Sequence, residues 1–114
     1  MVKIEKKGDV TVISFENLSK LNILVAQDVK EELKPHINQP NARLLLSLDG
    51  VDYVDSSGFG VLLSVLRSAK KNKSKFRMCN ISPEIMELIR LLKLDSIFEI
   101  DNSLEESLEK LSSF

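Results

Sequence analysis

Short runs rich in β-formers alternate with longer runs whose apolar residues recur every three or four positions, and this alternation constrains the fold more than any other feature of the chain. Val2 and Ile4 alternate with Lys3 and Glu5, as in a half-exposed strand. Lys7-Gly8-Asp9 is a turn signal, and Val10 to Phe15 is a second strand, so an antiparallel hairpin opens the chain. A polar connection, Glu16 to Lys20, leads to Asn22. This residue can cap a helix with Ala26, Val29 and Leu33 on its apolar stripe. Pro35 is expected to end that helix, because its ring removes a donor and clashes with the previous turn.

Ala42 to Leu48 carries Leu44-Leu45-Leu46 with little alternation, which suits a central strand covered on both faces. Asp49 to Asp55 reads as a loop. A helix follows from Ser56 to about Lys71 with Val61, Leu62, Val65 and Ala69 on one face, then a strand from Lys75 to Asn80. Ser82-Pro83-Glu84 is a helix start, with Ile85, Leu88, Ile89 and Leu92 as the expected buried stripe. Ile97 to Ile100 reads as a last short strand. Ser103-Leu104-Glu105-Glu106 is a capping box opening a helix that turns Leu104, Leu108 and Leu111 inward. The order β-β-α-β-α-β-α-β-α implies an α/β fold: a mixed, mostly parallel sheet of about five strands, an opening antiparallel hairpin and about four helices.

The 114 residues suit one domain, 1–114, without linkers or repeats. With 43% apolar and 29% charged residues, the chain has the composition of a globular protein able to form a core without disulfides. Lys plus Arg number 16 against 17 Asp plus Glu, so no bulk charge draws it to nucleic acid or an anionic membrane, and no such partner is expected. Charges interrupt the first residues, as no signal peptide allows, and no apolar run is long enough to span a bilayer. The single Cys79 cannot form an internal disulfide. The expected compartment is the cytoplasm.

Catalytic constellations are hard to assemble from these residues. His36 is the only histidine and lies at a helix end, and Cys79 falls in an expected strand; both read as structural or surface residues. Gly58-Phe59-Gly60 lacks the Gly-Lys-Ser/Thr of a phosphate loop, and Ser56-Ser57-Gly58 lacks the glycine that precedes the serine in a hydrolase elbow. Asp49, Asp52 and Asp55 crowd one loop without the alternating ligands of a calcium site. They read as solubilising acids, with Asp55 a helix cap, so no metal and no cofactor are expected. Arg67, Lys70, Lys71, Lys73 and Lys75 suit a helix C-terminus, where the dipole favours cations. Only Phe76 lies near them, against a stacking surface for nucleic acid. Hydroxyls at the first turn of a helix after a parallel strand occupy a usual place for sites in α/β sheets. On the residues alone, plain helix capping by Asp55 or Ser56 explains them slightly better.

Asp55-Ser56-Ser57-Gly58-Phe59-Gly60-Val61-Leu62-Leu63 resembles the signature of STAS domains, the family of bacterial anti-sigma-factor antagonists. The resemblance runs nearly end to end, through Leu44 to Leu48, Leu91 to Phe98 and Ser103 to Leu108. It implies a non-enzymatic regulator of transcription, acting as a monomer and phosphorylated on Ser56. The implied kinase is an anti-sigma factor with a histidine-kinase-like ATPase fold, and a PP2C-type phosphatase reverses the modification. The unphosphorylated antagonist binds the anti-sigma factor and releases the sigma factor. Asn22, Asp55, Ser56, Ser57, Gly58 and Phe59 become the implied partner-binding residues. The sequence departs from the family's Gly-x-Leu-Asp before the first helix, where Ser19-Lys20-Leu21-Asn22 stands, and Lys93 occupies a position where glycine often ends the third helix. The altered loop leaves a second role open: a non-phosphorylated STAS scaffold subunit of a stress-signalling or lipid-transport complex.

Overall fold

The computed structural model describes residues 1–112. Strands β1 (Val2–Lys7) and β2 (Val10–Phe15) form the opening antiparallel hairpin, with Gly8 at φ +61° in its turn. A positive φ costs glycine nothing because it has no Cβ. Next come β3 (Lys20–Leu21), α1 (Ile23–Ile37), β4 (Arg43–Ser47), β5 (Tyr53–Val54), α2 (Ser56–Lys71) and β6 (Lys75–Cys79). α3 (Pro83–Leu91), a 3-10 turn (Leu94–Ser96) and α4 (Leu104–Ser112) complete the described chain.

The main sheet has the order β1-β2-β4-β6, with both β4 neighbours parallel to it. β4 is thus interior, and alternation divides its leucines between two cores. Leu44 and Leu46 join Ile13, Phe15, Phe76 and Met78 on the face covered by α1, α2 and α3. Leu45 faces the other way, with Val10, Val12 and Cys79 beneath Leu111 of α4. The uninterrupted leucine run follows from this two-sided burial.

α4 is held by ions as well as by Leu111. The Arg77 guanidinium donates two hydrogen bonds to the buried Asp101 carboxylate, Nε to Oδ2 at 2.6 Å and Nη2 to Oδ1 at 2.9 Å. Ser107 Oγ and Lys110 Nζ, both on α4, donate to the same carboxylate. Arg77 first, then Ser107 and Lys110, hold the Asp101 carboxyl well below the usual carboxylate range against the opposing effect of burial.

Several expectations need correction. α1 does not stop before Pro35 but continues to Ile37, with the proline exposed inside its last turn. Only the Glu31 carbonyl loses a helical partner there, and Asn38 N still reaches Lys34 O at 3.2 Å. The expected strand at Ile97–Ile100 is reduced to one parallel bridge, Met78 with Ile100. Phe98, packed edge-on against Phe76 at 6.4 Å, anchors this segment by its ring instead of by a ladder. Leu88 and Leu92 are exposed, and of α3 Ile85 and Ile89 are buried in the core with Met86 packed partly against it. Leu92 lies beyond the last helical residue, as the C-cap, so it cannot extend the stripe. Lys93 adopts φ +59°, the left-handed conformation that glycine would take without strain.

Candidate functional site

Two strands of two residues each create the site. β3 and β5 pair in parallel, Lys20 with Tyr53 and Leu21 with Val54, away from the main sheet. The next residues, Asn22 and Asp55, are the N-caps of α1 and α2, so two helix N-termini begin side by side. Asn22 Oδ1 accepts from Leu24 N at 3.1 Å. Asp55 caps twice: Oδ1 accepts from Gly58 N in its own helix at 2.9 Å, and Oδ2 accepts from Ile23 N of α1 at 3.0 Å.

Gly58 fits where no other residue would. An ideal Cβ there would lie 2.1 Å from the Leu21 carbonyl oxygen and 2.7 Å from Val54 Cγ1. The first turn of α2 therefore rests directly on the β3 backbone, a contact that only a missing side chain permits. Phe59, the next residue, is buried in the core between sheet and helices.

Ser56 is the first residue of α2 and is exposed, and its hydroxyl makes no hydrogen bond with any described residue. Ser57 is half-buried. Of the six residues expected to meet a partner, Asn22, Asp55, Ser56 and Ser57 thus lie together at one end of the molecule. Gly58 and Phe59 belong to the same turn but face inward and hold it in place. Sequence reasoning missed the apolar residues at this end. Ile23 is 69% and Leu24 84% exposed in the first turn of α1, and Tyr53 on β5 is 49% exposed. A signal existed for Leu24, which falls with Gln27 and Asp28 opposite the Ala26-Val29-Leu33 stripe.

Nothing at this end resembles an acid–base or nucleophilic set. Among the described residues no three His, Cys, Asp or Glu side chains group as metal ligands. Burial pushes the Cys79 thiol up, which disfavours the reactive thiolate. His36 is half-buried in the last turn of α1. No helix among the described residues is long and apolar enough to cross a membrane.

A mixed sheet between helix layers, with a serine presented at a helix N-terminus, defines a small α/β module built to offer a surface. The sequence model of the STAS domain matches residues 1–107, and the chain belongs to the STAS domain family. It is 27% identical over 97 residues to the anti-sigma-B factor antagonist of Listeria monocytogenes, a match covering 85% of each protein. The structure of an anti-sigma-factor antagonist (STAS) domain protein from Planctomyces limnophilus superposes with a TM-score of 0.91 at 21% identity, covering 98% of both chains. The Bacillus cell-fate determinant SpoIIAA, solved in its phosphorylated form, superposes with a TM-score of 0.69 at 15% identity, covering 97% of this chain and 99% of that one.

Proposed function

We propose that this protein is an anti-sigma-factor antagonist switched by phosphorylation of Ser56, and that it acts as a cytoplasmic binding module and not as an enzyme. The unphosphorylated form binds a kinase-type anti-sigma factor with a histidine-kinase-like ATPase fold and thereby frees a sigma factor. The kinase transfers the γ-phosphoryl group of ATP to Ser56 Oγ, the hydroxyl proton leaves to a base of the kinase, and ADP departs. A PP2C-type phosphatase hydrolyses the ester and restores the binding form.

One observation carries this reading: Ser56 is exposed with its hydroxyl unbonded in the first turn of α2, and the preceding residue, Asp55, bonds Ile23 N at the start of α1, where Ile23 and Leu24 are exposed. A phosphoryl group there adds about −1.5 to −2 charges at neutral pH. The helix N-terminus favours it by roughly 0.3–1 kcal/mol, and the Asp55 carboxylate opposes it. Neither effect unfolds a domain whose core lies on the inner side of α2. At an apolar interface the same charge must be desolvated without a partner, at a cost of several kcal/mol. Since 1.4 kcal/mol is tenfold in affinity, this suffices to release the anti-sigma factor.

The altered loop favours a second role. Asn22 caps Leu24 N as an aspartate would, but leaves out the charge that the family pattern has at this position. A constitutive STAS scaffold subunit would need no modified serine. Intact-mass spectrometry and peptide mapping of protein from its native cells, with phosphatase inhibitors present, separate the two. A phosphoryl adduct on Ser56 is expected; unmodified Ser56 in both growing and stressed cells would transfer the assignment to the scaffold.

A further inference from the structure

The Asp55 carboxylate is the only side chain described that accepts from the first turns of both α1 and α2. We propose that Asp55 is a positioning residue that clasps these two turns together, and that charge placed on Ser56 loosens the clasp and frees the Ile23–Leu24 turn. The phosphoswitch proposed above gives this device its use; the clasp itself rests on the geometry.

Both oxygens of Asp55 are committed to backbone amides, so it holds the surface instead of offering itself to a partner. Its two bonds differ in kind. The bond from Gly58 is local, three residues along, and closes the first turn of α2. The bond from Ile23 crosses 32 positions of sequence and ties α1 to α2. The remaining α1 donors are served elsewhere: Leu24 N by Asn22 Oδ1, and Val25 N and Ala26 N by Asn22 O. Ile23 N thus depends on Asp55 alone.

A phosphoryl group on Ser56, the adjacent residue, repels this carboxylate as a like charge. The local bond is constrained by its own helical turn, so the tertiary bond to Ile23 yields first. The turn so loosened carries Ile23 and Leu24, apolar and already exposed. One modification would then both introduce charge at the surface and disturb its apolar part.

Asparagine tests the clasp because it caps a helix as well as aspartate does but has a single acceptor oxygen. Gly58 N and Ile23 N face different oxygens of Asp55, so an NH2 group in place of one of them leaves that donor without its acceptor. The experiment is amide–solvent exchange by NMR on the full chain as wild type, as Asp55→Asn, and with phosphoserine placed at position 56 during translation. In Asp55→Asn, Ile23 N–H is expected to exchange about tenfold faster while Gly58 N–H stays within about twofold. Phosphoserine is expected to speed Ile23 N–H by a similar factor and leave the buried Val29 turn protected. Asp55→Ser, which also caps but is too short to reach Ile23, gives the same pattern if the asparagine variant folds poorly. An unchanged Ile23 amide in the asparagine or serine variant, or in the phosphoserine protein, overturns the proposal. Absence of Ser56 phosphate in native cells would instead sink the phosphoswitch and leave the clasp measurable.

Discussion

Replacing Gly58 by alanine puts the architecture of the site to a quantitative test. Within a helix this change ordinarily stabilises, by up to ~1 kcal/mol. Here the new Cβ would stand 2.1 Å from Leu21 O and 3.1 Å from Leu21 C, both backbone atoms. Carbon and oxygen approach no closer than about 3.3 Å in ordinary weak contacts, so the gap must widen by about 1 Å. A carbonyl in a paired strand cannot rotate away as a flexible side chain would. Overpacking of this kind costs about 1–3 kcal/mol. Separating β3 from α2 also stretches the bonds from Asp55 N to Leu21 O, 3.3 Å, and from Ile23 N to Asp55, 3.0 Å, each contributing about 1 kcal/mol. The net expectation is a loss of about 2–4 kcal/mol, read from urea unfolding at constant slope. Gly60, two residues on, is the internal control: nothing lies within 4 Å of its hypothetical Cβ. Gly60→Ala should therefore be neutral or stabilise by up to ~1 kcal/mol. A Gly58→Ala protein as stable as Gly60→Ala would refute the close approach and the account of the turn built on it.

Ser56→Asp and Ser56→Glu should weaken binding of a kinase-type anti-sigma factor in calorimetric titrations by tenfold or more, with melting close to wild type, while Ser56→Ala binds but escapes control; equal affinities for wild type and both acidic variants would count against the switch. Asp101→Asn should cost about 2–4 kcal/mol in urea unfolding, because among the described residues it leaves the part-buried Arg77 only Glu99, at 3.7 Å, as an ion-pair partner. Wild-type stability should also fall on acidification. The Asp101 carboxyl is held below its unfolded value of about 3.9, so its contribution is complete above that pH and is lost as pH drops towards the folded value. Urea midpoints measured from pH 6 to pH 3 should decline less steeply in Asp101→Asn than in wild type, and parallel declines would remove Asp101 from the explanation.

Elements with a strong local signal were legible in the sequence. The Lys7-Gly8-Asp9 turn, the two-sided leucine strand and the caps at Asn22, Asp55 and Ser82 all correspond to observed geometry. What escaped was set by distant partners. Two-residue strands such as β3 and β5 carry no periodicity, and their pairing depends on residues 33 positions apart. Pro35 follows the helix-ending rule less strictly because so little of α1 lies beyond it. Ile97 to Ile100 has strand composition, yet the burial of Phe98 and a single bridge to Met78 determine its path. At the site, the motif showed which residues gather but not that Asp55 reaches into α1, a bond made only by the tertiary pairing of β3 with β5.

That pairing also explains how adjacent residues of one short motif take opposite roles. Asp55 faces the neighbouring helix end, Gly58 lies on the β3 carbonyl, and Phe59 enters the core, so three of five consecutive residues fix the backbone. Ser56, between them, inherits a fixed position without contributing to it. A residue so placed can gain or lose a charged group at little cost to the fold, because no core contact changes with it. The affinity of a surface that must desolvate it, however, changes by the full electrostatic penalty. Separation of these two effects distinguishes a reversible switch from a destabilising modification, and for the proposed phosphorylation of Ser56 it would follow from the direction in which each residue of one helical turn points.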